Sequence, residues 1–296
     1  MSPGWKSVRK SAPCPACGGV DRCAWKDGEL LHCFRSKQAP AGMRFACDSS
    51  SDERGAFFAT SEAGHRLRRF LRAPPPPGTC DLLAEHEHLR RQLTLDVRRK
   101  LATHLGVAER AIEDLETGIA TEADLRRLKV GFAGVGEYPK RAAVFPERDG
   151  NRKLVGLGFR AGDGRKGFAK GHQRGLVIPS RFRPGTSVSV FVVEGPSDVA
   201  AALTVGATAI GRPNNLGGVE HLTELLRDSP RVLVVGENDA RERDGAINWP
   251  GRDGAMSVAH ALAQRWRRRV SWALPPEGTK DVREWLRSKS AEVARG

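Results

Sequence analysis

Acidic side chains follow three apolar segments of the sequence, at the point where each segment ends. The segments alternate with helical patterns, so we expect parallel strands whose carboxyl ends meet at one edge of a sheet. Several carboxylates at one edge suit a hard divalent cation such as Mg²⁺ or Mn²⁺, which takes oxygen ligands and keeps waters and substrate phosphates in its remaining positions. The acids are Glu194 and Asp198 after the first segment, Glu237 and Asp239 after the second, and Asp281 after the third.

Four cysteines fall within 20 residues near the N-terminus, in a segment with few apolar residues. The first two stand in Cys-Pro-Ala-Cys, a spacing that presents both thiolates to one tetrahedral ion. A segment this short gains from a bound metal the stability that a small core cannot supply. We therefore predict one structural zinc ion. The predicted ligands are Cys14, Cys17, Cys23 and Cys33, with His32 and Cys47 as alternatives to Cys23.

Cations alternate with glycines in the middle of the chain, where residues 131–187 hold twelve basic and four acidic residues. Lys and Arg on a glycine-rich surface can approach a phosphate backbone closely, and Phe168 is available to stack on a base. We predict that Arg160, Lys166 and Lys170 contact nucleic acid or nucleotide. A hydrated strand surface without a ligand is the alternative interpretation.

Three short motifs resemble the acidic motifs of the Toprim domain, which primases, topoisomerases and some nucleases share. They are Glu-Gly-Pro-Ser-Asp from Glu194, Gly-Glu-Asn-Asp ending at Asp239, and Gly-Thr-Lys-Asp ending at Asp281. A four-cysteine module, a basic middle and a Toprim domain in this order are similar to bacterial, phage and plasmid primases. The resemblance implies that Glu194 is the catalytic acid/base and that Asp198, Glu237, Asp239 and Asp281 hold the divalent metal.

The same resemblance implies a DNA primase that makes short RNA primers on single-stranded DNA by metal-dependent nucleotidyl transfer. Its expected partners are the single-stranded template, NTPs and a replicative helicase supplied by another chain. Two positions depart from the family, which usually has Asp at Glu237 and a further Asp at Arg283. An extra loop, residues 240–252, also follows Asp239.

Two other functions remain open on the sequence alone. A DNA strand-cleaving enzyme of the topoisomerase type needs a Tyr nucleophile, and Tyr138 is the single Tyr of the chain. A non-catalytic replication accessory that binds single-stranded DNA would be consistent with Glu237 and Arg283. Incorporation of labelled NTPs distinguishes a primase from both alternatives.

The elements that position these residues follow from the spacing of apolar side chains. Leu, Val and Ile recur at helical spacing over residues 82–129, which predicts short helices. Runs punctuated by Gly and Asp-Gly predict short strands after that stretch, and alternating strands and helices follow from residue 188. The predicted strands are 142–145, 154–159, 176–178, 188–193, 208–210, 231–235 and 270–274, and the later helices are 197–204, 219–226 and 253–267.

The fold class expected from this order is α/β, with a zinc-ribbon-like module at the N-terminus and a parallel-sheet Toprim domain at the C-terminus. A Ser/Asp run and four consecutive prolines indicate a linker between the module and the rest. The predicted domains are a zinc-binding module (1–47), a linker (48–81), a mixed α+β basic subdomain (82–187), the Toprim domain (188–286) and a tail (287–296).

The net charge of +14 over 296 residues is concentrated in two segments. Residues 1–47 and 131–187 carry +5 and +8, whereas residues 188–282 carry −1, which indicates a polyanionic partner for the first two segments. No apolar run is long enough to span a bilayer, and the N-terminal residues do not form the apolar run of a secretory signal, so we expect a cytoplasmic protein. In that compartment cysteines are expected as metal ligands or free thiols rather than in disulfides. The sequence contains no Walker A loop, which argues against an ATP-driven helicase on this chain.

Overall fold

The computed structural model describes residues 5–20, 23–26, 29–33, 36, 38–48, 56–60, 81–132, 137–243 and 246–293. The chain divides into two units, Met1–Pro77 and Gly78–Gly296. Within the described residues, no helix is both long and apolar enough to cross a bilayer.

The first unit contains a five-stranded antiparallel sheet with strand order β1-β2-β3-β5-β4. Strands β2 and β3 pair directly with each other. The sheet extends beyond residue 47, the predicted end of the module, because β5 pairs with both β3 and β4. Its strands are β1 (Trp5–Ser7), β2 (Ala24–Lys26), β3 (Leu30–Cys33), β4 (Arg44–Asp48) and β5 (Ala56–Ala59).

Four short helices open the second unit, as the helical spacing predicted. Thr94 caps the second helix through its side chain, and Gly106 ends that helix in the left-handed region with φ +69°. A strand of four residues, β6 (Gly118–Thr121), interrupts the predicted helical stretch. The helices are α1 (Leu82–Arg91), α2 (Leu95–Leu105), α3 (Glu109–Asp114) and α4 (Glu122–Arg127).

The basic middle of the chain forms a second antiparallel sheet, with strand order β6-β8-β9-β10-β7. Two of its strands contain the predicted runs 142–145 and 154–159. The third predicted run, 176–178, makes only isolated bridges, from Leu176 to Arg148 and from Val177 to Gly211. The strands are β7 (Val130–Phe132), β8 (Arg141–Arg148), β9 (Leu154–Ala161) and β10 (Lys166–Ala169).

A four-stranded parallel sheet follows, with strand order β12-β11-β13-β16, and confirms the α/β class. The predicted extra loop, 240–252, contains a β-hairpin, and its last three residues belong to the next helix. That helix begins at Pro250, three residues before the predicted start, and Pro is favourable in the first helical turn. The elements are β11 (Ser189–Glu194), α5 (Pro196–Thr204), β12 (Ala209–Arg212), α6 (Val219–Leu225), β13 (Arg231–Val235), β14 (Arg241–Arg243), β15 (Ala246–Asn248), α7 (Pro250–Trp266), β16 (Ser271–Ala273) and α8 (Val282–Val293).

Both faces of the parallel sheet are buried, as the continuous apolar runs of its strands require. Val190 and Val192 pack in one cluster with residues of α6 and α7. Val193 packs in another cluster with α5 residues and with Ala111 of α3. The sheet is thus covered by helices on both sides, and its carboxyl edge is left for polar residues.

The division into five domains stays a prediction, since most of the linker 48–81 lies outside the described residues and the tail 287–296 begins inside α8.

Candidate active site and metal centre

The four predicted zinc ligands lie together in the first unit. The Sγ atoms of Cys14, Cys17, Cys23 and Cys33 are all within 4.8 Å of one another, and those of Cys17 and Cys23 are 3.8 Å apart. Tetrahedral Zn–S bonds of about 2.3 Å would place the sulfurs about 3.8 Å apart. Gly18 closes the Cys-Pro-Ala-Cys turn at φ +69°, where a residue without a side chain is favoured. This cluster fits a zinc ribbon.

The other sulfur and nitrogen candidates are placed differently. His32 is not part of the cluster, and its ring stacks on Phe57 with ring centres 4.1 Å apart. The side chain of Cys47 and the whole of Cys80 lie outside the described part of the structure. At Cys17 burial raises the pKa of the thiol, but the Gly19 N–H and the neighbouring thiols outweigh burial and lower it. That environment favours the thiolate that a metal ion binds.

Glu194 and Asp198 flank the turn between β11 and α5. Glu194 is the last residue of β11, and Gly195 follows at φ +93°, a conformation that L side chains rarely adopt. The chain thereby turns sharply into α5, whose first turn contains Asp198. Asp198 is 3% exposed, and its Oδ1 accepts the backbone N–H of Arg283 at 3.1 Å.

The buried position of Asp198 changes its acidity. Burial, together with the nearby Asp281 and Glu237, raises the pKa of Asp198 to about 8, although the Arg283 N–H opposes the shift. Burial also raises the pKa of Glu237, and Glu194 adds to the effect. Carboxylates that repel one another in this way bind a cation favourably, because the cation offsets their mutual repulsion.

The segment after β13 is fixed to two other elements by hydrogen bonds. Asp239 accepts the N–H of Gly251, in the first turn of α7, at 2.7 Å. A Cβ on Gly251 would lie 2.4 Å from the Glu237 carbonyl oxygen, so only Gly permits this approach. Asn238 donates from Nδ2 to the carbonyl oxygens of residues 275 and 279 at 2.8 and 2.9 Å. It also donates its N–H to the carbonyl of residue 280 at 2.7 Å. These contacts bring the loop before Asp281 against Glu237 and Asp239.

Asp281 begins α8. Its Oδ1 accepts the backbone N–H of Glu284 at 2.8 Å, which caps the helix. Its Oδ2 lies 4.0 Å from Nη2 of Arg283. The five predicted acids thus stand at the carboxyl edge of the sheet, after β11, β13 and β16, and we call this group of five the acidic edge.

Arg212, which the sequence analysis missed, lies beside the acidic edge. Arg212 ends β12 and pairs in register with Glu194 on the neighbouring strand. Its side chain is fully buried, with Nη2 4.0 Å from Oε2 of Glu194 and 3.3 Å from the Val235 carbonyl oxygen. The sequence does contain one signal for it: Arg212 directly follows the short apolar run Ala-Ile-Gly. Because this run forms β12, parallel to β11, its last residue lies at the same edge of the sheet as Glu194.

Two of the three predicted nucleic-acid contacts lie beside the acidic edge. Arg160 donates from Nη1 to Oγ of the buried Ser197 at 2.9 Å, which joins β9 to the start of α5. Burial lowers the pKa of Arg160, and the surrounding acids oppose this shift. Lys166 pairs with Arg160 across β9 and β10 and acts electrostatically on Glu237. Lys170 is exposed beyond β10, and the described residues show no contact between it and the acids.

The oxygen-only donor set of the acidic edge fits a hard divalent cation. The carboxylates are not, however, gathered around one point. Among the described residues, the cysteine cluster is the one group of three or more ligand side chains whose atoms lie within 4.8 Å of one another. A cation here would therefore complete its coordination with water or substrate oxygens, as Mg²⁺ and Mn²⁺ do at phosphate-transferring sites.

Tyr138 lies against the antiparallel sheet. Its ring meets that of Phe132 edge-on, with ring centres 6.4 Å apart, and the Arg126 guanidinium lies 5.0 Å from its centre. The ring packs against the cluster that contains Leu125 and Val144. No contact of the described residues places its hydroxyl at the acidic edge, so the strand-cleaving alternative gains no support.

Solved structures similar to this chain are primases. The DnaG catalytic core matches with a TM-score of 0.53 and 18% identity over 72% of this chain and 77% of that one. The DnaG primase catalytic domain bound to ssDNA matches with 0.50 and 17% over 72% and 78%. The zinc-binding and RNA polymerase domains of Aquifex aeolicus primase match with 0.50 and 15% over 93% and 79%.

No protein-family model and no curated protein matches the sequence. At identities of 15–18% the structural likeness establishes the fold. The predicted resemblance to zinc-binding Toprim primases is thereby confirmed at the level of the fold. The chain has the fold of a DnaG-type primase catalytic core, together with an N-terminal cysteine cluster that fits a zinc ribbon.

Proposed function

We propose that this protein is a DNA primase that joins ribonucleotides on single-stranded DNA by metal-dependent nucleotidyl transfer. The observation that carries the proposal is the acidic edge itself. In a chain with the fold of a primase core, five acids from three strand ends meet Arg160 and Lys166 at one edge of the sheet. Acids suited to a divalent cation next to cations suited to phosphates match the needs of nucleotidyl transfer.

Each residue then has a role that follows from its position. A bound Mg²⁺ or Mn²⁺ would neutralise the triphosphate and acidify the attacking 3′-hydroxyl. Asp198, Glu237, Asp239 and Asp281 would hold the cation, and Glu194 would take the proton of the hydroxyl. Glu194 suits this role because it ends its strand at the edge and accepts no hydrogen bond from the described residues.

The cationic residues would bind template and nucleotide. Arg160 is held rigidly by Ser197, so its remaining N–H groups are oriented before a phosphate arrives. Lys166 stands beside it on the next strand, and the exposed Lys170 would extend the contact along the template. The zinc ribbon would select the initiation site, since the base edges of single-stranded DNA are free to be read. A similar solved domain, the DnaG primase catalytic domain, is bound to ssDNA. A replicative helicase supplied by another chain is a further proposed partner, and the family resemblance is its only support.

Primer synthesis on random single-stranded templates tests the proposal. With labelled NTPs and Mg²⁺ or Mn²⁺, Glu194→Gln should abolish incorporation, because it removes the carboxylate while keeping the size of the side chain. Glu87→Gln is the matched control, because this substitution makes the same change in charge at a residue that is exposed on α1. Full incorporation by Glu194→Gln would contradict the assigned role. Binding of single-stranded DNA with no incorporation by the unaltered chain would favour the accessory function instead.

A further inference from the structure

Cationic side chains surround the carboxylates of the acidic edge. Asp198 and Glu237 act on each other electrostatically, and Glu194 and Asp281 belong to the same group. Five cations act on these four acids, so their positive charge at least equals the negative charge of the acids before any metal ion binds. The five are Arg160, Arg212, Arg283, Lys166 and Lys280.

Arg212 is the most deeply buried of the five cations. The side chain has no exposed surface, and Nη2 lies 4.0 Å from Oε2 of Glu194. Its Nε is buried and has no hydrogen-bond partner among the described residues. A guanidinium keeps its charge even when it is buried, so Arg212 is a permanent positive charge at the carboxyl end of β12.

Arg283 places a second permanent charge beside Asp281. Its Nη2 lies 4.0 Å from Oδ2 of Asp281, and its backbone N–H binds Asp198. The Nε of Arg283 is also buried without a hydrogen-bond partner in the described part of the chain. Both arginines therefore lie close enough to repel any cation that approaches the carboxylates they face.

The acids of the acidic edge differ in how many of their oxygens are free to bind a cation. Asp198, Asp239 and Asp281 each already use one oxygen to accept a backbone N–H. Glu237 accepts no hydrogen bond from the described residues, and neither arginine lies within ion-pair distance of it. Among the described acids of the acidic edge, Glu237 is therefore the one with both oxygens free of a hydrogen bond and with cations acting on it only from beyond ion-pair distance.

We propose that the acidic edge takes one divalent cation rather than two, with Arg212 and Arg283 supplying the positive charge that a second ion would supply. This inference rests on the proposed function, which places a metal ion at this edge. The single ion lies on Glu237, and Arg212 beside Glu194 and Arg283 beside Asp281 exclude another.

The test is a count of bound Mn²⁺ ions on the zinc-loaded full chain without nucleotide, from the electron paramagnetic resonance signal of free Mn²⁺. The unaltered chain should bind one ion, and Glu237→Gln should lose it. Arg212→Gln should admit a second ion and bind the first about tenfold more tightly, because a repulsive charge near the site is removed. Arg231→Gln is the matched control. It removes the same charge from the exposed amino end of β13, at the opposite edge of the sheet, and should leave one ion.

The outcomes separate this inference from the proposed function. Two ions on the unaltered chain, or one ion on a folded Arg212→Gln variant, would overturn the inference and leave the primase proposal standing. No Mn²⁺ on the unaltered chain would also overturn the inference, and the incorporation of labelled NTPs would then decide the primase proposal separately. Because Arg212 is buried, Arg283→Gln, whose side chain is partly exposed, provides a second variant. A second ion bound to Arg283→Gln supports the inference. If Arg212→Gln does not fold, a single ion bound to Arg283→Gln overturns it.

Discussion

Replacement of Gly251 by Ala tests whether the start of α7 positions the acidic edge. A Cβ on residue 251 would lie 2.4 Å from the carbonyl oxygen of Glu237 and 2.8 Å from Oδ1 of Asp239. Because the nearer of these atoms belongs to the backbone, the strand end and the helix must separate. The hydrogen bond of 2.7 Å from the residue 251 N–H to Asp239 would then weaken or break.

The expected loss of stability for Gly251→Ala follows from three contributions. Overpacking costs about 1–3 kcal/mol. Loss of a hydrogen bond to a charged acceptor costs about 1.5–3 kcal/mol. Ala in place of Gly in a helix returns about 0.5–1 kcal/mol. The net loss is about 3 kcal/mol, which for a unit of this size lowers Tm by about 6–12 °C.

The assay for Gly251→Ala is thermal unfolding followed by circular dichroism, with Mn²⁺ binding measured on the same samples. The variant should melt early and bind Mn²⁺ more weakly, because Glu237 and Asp239 are displaced. Gly131→Ala is the control, since a Cβ there meets no atom within 4 Å and the residue lies in β7. A Gly251→Ala protein that melts within about 2 °C of the unaltered chain, which corresponds to about 1 kcal/mol or less, would refute this account of how the edge is held.

Two further predictions concern parts of the chain away from the acidic edge. Cys17→Ser should lose one zinc ion in native mass spectrometry, and an unchanged mass apart from the substitution would contradict the cysteine site. The Arg127 guanidinium, bonded to Glu85 at 2.6 Å and to Asp124 at 2.9 Å, should make stability depend on acid pH. Its hydrogen bonds lower the pKa of Glu85, and at Asp124, where burial alone would raise the pKa, hydrogen bonds from several neighbours lower it. Their contribution is therefore complete above the unfolded values of about 4 and disappears as pH falls through the folded values. Arg127→Met should flatten this dependence, whereas Arg126→Met, which removes an exposed pair, should not; equal pH profiles for the two variants would contradict the network.

Much of the second unit could be predicted because its signals are local. The apolar runs that end in Glu194 and Glu237 predicted strands, and parallel topology alone brings their ends together. The cysteine spacing was equally local, since Cys14 and Cys17 share one turn. In these cases the residue types and their spacing along the chain are enough to predict the chemistry.

The features that could not be predicted depend on contacts between distant parts of the chain. Arg212 looks like the surface end of a short strand until β12 is placed beside β11, where its charge becomes buried. Arg283 acts on Asp198 through its backbone N–H, which carries no sequence signal. Strands β5 and β6 have four residues each, too few for a period to be recognised.

The hydrogen bonds that Asn238 donates have a consequence for how this protein can vary. All four end on carbonyl oxygens of residues 275, 276, 279 and 280, which every amino acid carries. Apart from Gly278, whose φ is +83°, and Lys280, whose charge acts on Glu237, the loop before Asp281 can therefore change its side chains while keeping these hydrogen bonds. Asn238, in contrast, supplies a side-chain amide that few residues can replace. Related chains could thus differ widely in this loop, alter the surface that faces a partner or a template, and still present the same acids to the same place.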